Sequence, residues 1–283
     1  MPVTPPEPAL LREAASRALA EDVGPLDITT ACLVPKNTKA RAHIFVKEEG
    51  VLCGLPVAAQ VFSEVDTALR LTFKSEDGDS LAKGQTVMEL EGPVSAILTG
   101  ERSALNFLQH LSGIATQTRR FVREIAHTPC RILDTRKTTP GLRHLEKYAV
   151  RCGGGVNHRM GLYDAFMPKD NHVALMAQPD GLLEAVKKMK NSDPDAPIIF
   201  EADTLEQVAV LANAGVTRIL LDNMPIPQMR EAVRIAAGKC GLEASGNMTL
   251  ERVAAVAETG VDYISVGSLT HSVRALDFSL EMD

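Results

Sequence analysis

The stretches IIFEADTLEQVAVLANAGVTRILLD (198–222) and LEASGNMTLERVAAVAETGVDYISVGS (242–268) decide the fold predicted for this chain. Each begins with a short apolar run, passes through a polar turn into apolar residues at helical spacing, and ends in a second apolar run. TLEQVA (204–209) and TLERVA (249–254) repeat in sequence, and a Gly-Val pair follows each at the same offset. Alternating strands and helices with short links predict parallel strands joined by right-handed crossovers.

The same rhythm extends over most of the chain beyond residue 130. Six strand candidates follow it, at 131–134, 165–168, 198–201, 218–222, 242–245 and 263–266. Six or seven strands are fewer than the eight of a closed barrel, so we expect an α/β fold with an open, incomplete barrel.

The first part of the chain has a different pattern. The spacing of apolar residues predicts an amphipathic helix over about 8–22 and a second helix from 101 to about 125. Between them the apolar runs are short and separated by glycines, which predicts strands such as 42–46 and 71–73. DGDSLAKGQTVMELEG (77–92) is typical of a β-hairpin region.

The composition excludes several classes of protein. A hydrophobic content of 45% with 23% charged residues is ordinary for a globular chain, and a net charge of −6 opposes bulk attraction to nucleic acid or anionic membranes. The sequence shows neither an apolar run of membrane-spanning length nor a secretory signal. Five cysteines without a CxxC pair argue against a disulfide set or a cysteine zinc site, so we expect a cytoplasmic location.

Polar or small residues follow each strand candidate directly. In a barrel these positions meet at the carboxyl-terminal edge, where ligands bind. Between 131 and 172 there are eight Lys or Arg and only four Asp or Glu, in a chain that is acidic overall. The excess can be a solvated basic face, but Arg136, Lys137 and Lys169 at strand ends favour a pocket for a small polyanion.

Two glycine-bearing loops follow the last strand candidates. SGN (245–247) precedes a predicted helix and VGS (266–268) ends the last strand. Such loops bind phosphate through backbone N–H groups. A tight turn with a helix cap is the alternative for SGN, but the position of both loops after the last strands favours phosphate. Glu201 and Asp222 at the same edge can be ion-pair partners, or can hold a ribose and the magnesium ion carried by a diphosphate.

With these residues assembled, the chain resembles the quinolinate phosphoribosyltransferase family, also called carboxylating nicotinate-nucleotide pyrophosphorylases. Glu201 in FEADT and Pro168 before Lys169 depart from the usual family context without removing a charged group. The resemblance is carried by GERSALNFLQHLSGIAT (100–116), DTRKTTPGLRHLEKYAV (134–150), CGGGVNHRMGLYDAFMPKDNH (152–172), LLDNM (220–224), EASGN (243–247) and VGSLTHSVRALDFSL (266–280).

The resemblance implies an N-terminal α/β sandwich domain over 1–113, joined by the C-terminal tail (about 269–283), and an open α/β barrel with the active site over 114–268. It also implies decarboxylating transfer of phosphoribosyl from phosphoribosyl pyrophosphate to quinolinate, in NAD biosynthesis. It further implies a homodimer, possibly a hexamer, in which sites are shared between subunits, and neither nucleic acid nor membrane as a partner.

The residue roles implied by the resemblance form overlapping groups. The catalytic residues are Lys137, Glu201 and Asp222, and the last two also hold Mg²⁺, mostly through substrate and water. Quinolinate is bound by Arg102 of a neighbouring subunit and by Thr135, Arg136, Lys137, Thr138, His158, Arg159 and Lys169. The phosphoribosyl group is bound by Lys169, Glu201, Asp222, Ser245, Gly246, Asn247, Val266, Gly267 and Ser268.

Three alternatives remain open at this point. A molybdenum-associated relative or a nicotinate phosphoribosyltransferase would use the same scaffold, but only quinolinate turnover releases carbon dioxide. Residues 78–92 resemble half of a biotinyl or lipoyl carrier domain, yet the modifiable lysine is missing after Met88. A phosphate-sensing barrel without catalytic activity would not require Glu201 and Asp222.

Overall fold

The computed structural model describes residues 3–169, 172 and 181–283. The chain divides into two compact units. The first contains Met1–Arg119, Thr138–Gly154 and Leu269–Asp283, and the second contains Arg120–Lys137 and Gly155–Ser268. Among the described residues, no helix is both long enough and apolar enough to cross a membrane.

The first unit is built on an antiparallel sheet. The strands of this unit are β1 (Lys39–Val46), β2 (Gly50–Val51), β3 (Arg70–Phe73), β4 (Ser80–Leu81), β5 (Thr86–Pro93) and β11 (Phe278–Met282). β2 and β4 form a separate two-stranded sheet. The main sheet has the order β11–β1–β5–β3, so the C-terminal strand pairs with the first one. Along β1 the side chains of Ala42, Ile44 and Val46 are buried alternately, as expected for a sheet with one face on a core.

The hairpin predicted over 77–92 is wrong. Within that segment β4 pairs with β2, and β5 pairs with β1 and β3. Gly84, at a φ of 82°, turns the chain between β4 and β5. The glycine turn that the sequence predicts is therefore present, but the strands on either side of it pair with other segments of the chain and not with each other.

Five helices begin in the first unit, namely α1 (Pro8–Asp22), α2 (Ile28–Leu33), α3 (Leu55–Val65), α4 (Val94–Glu124) and α5 (Arg143–Cys152). The helix predicted over 8–22 is confirmed. α4 starts at Val94 and not near 101, so Arg102 lies inside the helix and does not open it. Gly100 lies inside α4 although glycine is a poor helix former. A Cβ at this position would come within 2.8 Å of the Phe62 ring, so a larger residue would not fit unless Phe62 moved.

The second unit contains a parallel sheet, which confirms the α/β fold class. Its strands are β6 (Arg131–Leu133), β7 (Ile199–Ala202), β8 (Arg218–Asp222), β9 (Gly241–Ser245) and β10 (Tyr263–Ser265). Their order is β6–β10–β9–β8–β7. Single bridges extend both edges, from Leu133 to Val156 and from Phe166 to Ile198. The strand predicted over 165–168 is thus reduced to one paired residue, Phe166, two positions before Pro168, which has no N–H to donate.

The helices of the second unit follow the strands as the repeat predicted. They are α6 (Gly181–Ser192), α7 (Leu205–Ala214), α8 (Ile226–Ala236) and α9 (Leu250–Ala257), and a short α10 (Ser268–His271) follows β10. In register, Ala202 pairs with Leu221 and Asp222 pairs with Ser245, so β7, β8 and β9 end at one edge. Functional side chains that follow these strands are thereby brought to a common rim.

Candidate active site

Glu201 and Lys169 form an ion pair at the end of β7. The Lys169 ammonium donates to Glu201 Oε1, and the Glu201 side chain is only 15% exposed. Lys169 reaches this position because the chain at Phe166 pairs with Ile198 beside β7. The structure therefore brings together two residues that the sequence places 32 positions apart.

Asp222 and Ser245 lie side by side at the ends of β8 and β9. The backbone N–H of Asn223 donates to Ser245 O at 3.1 Å, which joins the loops that follow these strands. The side chain of Asn223 donates to Asp222 Oδ2 at 3.2 Å and thereby orients the carboxylate. Asp222 stays half-buried, so its carboxylate remains accessible to a ligand at the rim.

The two glycine-bearing loops take different forms. Gly246 and Asn247 have φ values of 97° and 46°, so the chain makes a left-handed turn in front of α9, with Gly246 half-buried and Asn247 exposed. In the other loop, Val266 donates its N–H to Leu133 O at 2.9 Å and is buried, so it anchors the loop. Gly267 and Ser268 are half-buried.

A buried carboxylate, Asp134, organises the cationic side of the site. Asp134 follows β6 and accepts hydrogen bonds from the backbone N–H of His158 at 2.8 Å and from Asn157 Nδ2 at 2.6 Å. Arg159 then donates through Nη1 to Ala165 O at 3.1 Å. These contacts fix the segment that carries His158 and Arg159 against the end of β6.

Arg136 and Arg159 form a positive group in the second unit. Partial burial and the charge of Arg136 lower the pKa of the Arg159 guanidinium, and Asp164 and Glu201 only partly oppose this. Arg159 Nε is buried without a hydrogen-bond partner among the described residues. Two half-buried guanidinium groups that destabilise one another are stabilised by a bound anion.

His158 has both ring nitrogens engaged. Nδ1 accepts the N–H of Arg159 at 2.7 Å, and Nε2 lies 3.4 Å from Glu243 Oε2. Glu243, fully buried in β9, also accepts from Arg218 at 2.8 Å. Burial alone would raise the pKa of Glu243, but His158 and Arg218 outweigh it and lower the pKa. The ring of His158 is therefore held in place by an ionised carboxylate.

Sequence reasoning assigned no role to Glu243, although it begins the matched EASGN motif. The available signal was an acidic residue at the centre of an apolar strand, which requires charged or hydrogen-bonding partners in a folded protein. Glu243 Oε1 has no hydrogen-bond partner among the described residues.

The remaining residues predicted for the site are divided between the units. In the second unit, Thr135 Oγ1 accepts the N–H of Lys137 at 3.0 Å, and Lys137 is exposed. Thr138 belongs to the first unit, where its hydroxyl accepts from Arg143 at 3.1 Å. Arg102, also in the first unit, is exposed on α4.

The basic residues between positions 131 and 172 also belong to two different units. Arg143, Lys147 and Arg151 lie on α5 in the first unit, whereas Arg136, Lys137 and Arg159 lie in the second unit. Two residues of the matched motif over 152–172, Asp170 and Asn171, lie outside the described part of the chain.

The carboxylates at the rim fit a magnesium ion that is held largely by substrate. Glu201 and Asp222 offer hard oxygen ligands on adjacent strands, and magnesium often takes one or two carboxylates with the rest from phosphate and water.

Within the described residues, one group of three side chains has its potential metal-ligand atoms close together: Cys53, Asp77 and Cys152 in the first unit. Burial raises the pKa of the Cys53 thiol, which disfavours metal binding there.

Comparisons with known proteins agree over nearly the whole chain. The family models described as quinolinate phosphoribosyl transferase, N-terminal and C-terminal domain, match residues 27–112 and 114–281. The probable nicotinate-nucleotide pyrophosphorylase [carboxylating] of Bacillus subtilis is 43% identical over 96% of this chain and 93% of its own length. The enzyme of that name from Mycobacterium leprae is 43% identical over 96% of both chains.

Solved structures give the same result. The nicotinate-nucleotide pyrophosphorylase of Francisella tularensis superposes with a TM-score of 0.94 at 37% identity, covering 100% of this chain and 99% of the other. The protein of that name from Ehrlichia chaffeensis has a TM-score of 0.89 at 39% identity, covering 96% and 98% of the two chains.

Proposed function

The chain belongs to the quinolinate phosphoribosyltransferase family, and from that premise we propose that it transfers phosphoribosyl from phosphoribosyl pyrophosphate to quinolinate with decarboxylation. The products are nicotinate mononucleotide, pyrophosphate and carbon dioxide, and the reaction is a step of NAD biosynthesis. One observation carries the proposal. Two guanidinium groups, Arg136 and Arg159, and two carboxylates, Glu201 and Asp222, belong to the same unit, and Arg159 interacts electrostatically with both Arg136 and Glu201.

The positive group accounts for binding of quinolinate, which carries two carboxylates on one aromatic ring. Guanidinium groups bind carboxylates through charge-assisted, often bidentate hydrogen bonds. In this proposal Arg136 and Arg159 bind these carboxylates together with Lys137 and Lys169. His158 precedes Arg159 and accepts its N–H. The unpartnered, buried Arg159 Nε supports this assignment, because it gains a partner when the anion binds.

The carboxylate side accounts for binding of the ribose and its pyrophosphate. Glu201 and Asp222 accept hydrogen bonds from ribose hydroxyl groups, and both fit a magnesium ion shared with the substrate. When bound, Mg²⁺ neutralises part of the charge on the pyrophosphate. Lys169, already paired with Glu201, adds a positive charge near the same substrate.

The chemistry requires no nucleophilic side chain. The ring nitrogen of quinolinate forms a bond to C1 of ribose while the bond from C1 to pyrophosphate breaks, and the electron pair leaves with pyrophosphate. Positive charge develops on the ribose, where the carboxylates of Glu201 and Asp222 stabilise it. The 2-carboxylate then leaves as carbon dioxide, and a proton takes its place on the ring carbon. The adjacent positively charged nitrogen stabilises the carbanion character formed there.

The assembly that we propose is a homodimer, possibly a hexamer, in which Arg102 acts on quinolinate in the partner's site. The exposure of Arg102 on α4 and its place in the matched GERSALNF motif support this role. We also propose a cytoplasmic location, which the five free cysteines support.

The reaction is tested by release of labelled carbon dioxide from 2-carboxyl-labelled quinolinate. We expect release only when phosphoribosyl pyrophosphate and Mg²⁺ are both present, with equimolar nicotinate mononucleotide, and loss of activity on chelation. Nucleotide formation from nicotinate without carbon dioxide would instead identify a nicotinate phosphoribosyltransferase, and release without phosphoribosyl pyrophosphate would refute the transfer reaction.

The position of the 5′-phosphate gives a second test. We expect a crystal structure with phosphoribosyl pyrophosphate to place this phosphate on the loops 245–247 and 266–268. Gly246 and Asn247 form a left-handed turn before α9, and backbone N–H groups in front of a helix are suited to bind phosphate. A phosphate bound instead beside Arg136 and Arg159 would reverse the assignment of the two ends of the pocket.

A further inference from the structure

The internal repeat differs at one position that matters for the site. In TLEQVA and TLERVA, Thr204 and Thr249 are the residues before α7 and α9, and the third helical residue is Gln207 in one and Arg252 in the other. Gln207 closes a capping box: its N–H donates to Thr204 Oγ1 at 3.3 Å, and its Oε1 accepts the N–H of Thr204 at 3.2 Å. Thr249 makes no such cap to α9.

Arg252 is an unfavourable residue for the first turn of a helix, because the helix dipole is positive there. Its guanidinium turns to backbone carbonyl groups instead. Nη1 donates to Gly246 O at 3.2 Å, with a longer contact of 3.5 Å to Asn247 O, and Nη2 lies 3.5 Å from Met224 O. Arg252 therefore contacts both rim loops, the one after β8 and the one after β9.

These two loops interlock at Asn223 and Gly246. A Cβ on Gly246 would lie 2.0 Å from Asn223 Oδ1, and Asn223 and Asn247 both have left-handed backbone, at φ values of 52° and 46°. Asparagine residues adopt left-handed backbone less readily than glycine but more readily than most other residues, and surrounding contacts help to hold them. The contacts of Arg252 are among those that hold them.

We propose that Arg252 is a positioning residue that sets the separation between the Asp222 carboxylate and the backbone of Ser245–Asn247, and thereby the affinity for a pentose 5-phosphate. This inference rests on the proposed function, in which Asp222 takes a ribose hydroxyl and the loop takes the phosphate. Arg252 acts through the carbonyl groups that it holds and touches neither the ribose nor quinolinate.

The decisive variant is Arg252→Gln, which installs the residue found at this position in the other repeat. Glutamine can close a capping box with Thr249, so α9 keeps or gains stability while both loops lose the guanidinium. We expect binding of ribose 5-phosphate, measured by calorimetry, to weaken about tenfold or more, and KM for phosphoribosyl pyrophosphate to rise in parallel. The dissociation constant of quinolinate stays unchanged, and the melting temperature is the same or higher. Arg252→Lys restores part of the affinity, since an ammonium can still donate to Gly246 O.

The matched control is Gln207→Met, which removes the side-chain half of the capping box of α7, the hydrogen bonds accepted by Gln207 Oε1. It lowers the melting temperature and leaves ribose 5-phosphate binding unaltered. The proposal fails if folded Arg252→Gln binds ribose 5-phosphate as the parent does, if quinolinate affinity falls equally, or if the parent does not bind ribose 5-phosphate. Absence of carbon dioxide release from quinolinate, with ribose 5-phosphate binding intact, would overturn only the proposed reaction.

Discussion

Arg159→Ala and Lys137→Ala are expected to weaken quinolinate binding by about ten- to a hundredfold, with a much smaller effect on stability. A lost charge-assisted hydrogen bond costs about 1.5–3 kcal/mol, and Arg159 brings a buried Nε that has no partner among the described residues. Lys137 is exposed, so its removal creates no cavity. Calorimetric titration with quinolinate gives the affinity, and thermal unfolding gives the stability.

Arg234→Ala is the matched control for charge. Arg234 also lies in the second unit, on α8, where it pairs with Glu231 and is 75% exposed. Its removal takes away one positive charge, as each of the other two changes does, and should leave quinolinate binding unchanged. If Arg159→Ala and Lys137→Ala behave like Arg234→Ala, the basic residues form a solvated face and the quinolinate assignment is wrong.

The rim of the second unit could be predicted because its signals are local. Each strand is a short apolar run, and the functional side chain lies at its carboxyl-terminal end, as with Asp222, the last residue of β8. A parallel sheet then brings the strand ends together without further information. Glu243 and Arg252 were missed because their roles depend on contacts with residues distant in sequence, such as His158 and Met224.

The first unit was harder to predict for the same physical reason. The pairing of β4 with β2, and of β5 with β1 and β3, depends on segments that a local pattern does not relate. The sequence did not assign α5 to the first unit, because its contacts there are with residues distant in the chain. For example, Tyr148 donates its hydroxyl to Asp77 Oδ2 at 2.9 Å. Local periodicity identifies elements, whereas non-local packing decides which unit they join.

Arg102→Ala is expected to abolish most of the activity although Arg102 is exposed in the single chain. Loss of one guanidinium from a bound carboxylate costs about 1.5–3 kcal/mol, and the effect should fall on quinolinate binding. If Arg102 acts in the partner's site, a chain carrying this change still has an intact barrel of its own. Two inactive variants can then complement each other.

Mixing Arg102→Ala with Lys137→Ala tests this directly, because twofold symmetry gives a mixed dimer one site with both defects and one site with neither. With random reassociation about half of the dimers are mixed, so about a quarter of all sites should regain activity. Mixing Arg159→Ala with Lys137→Ala is the control. Both changes lie in the second unit, each site keeps one defect, and activity should not return. If mass spectrometry confirms exchange and the first mixture also stays inactive, Arg102 does not act in the partner's site.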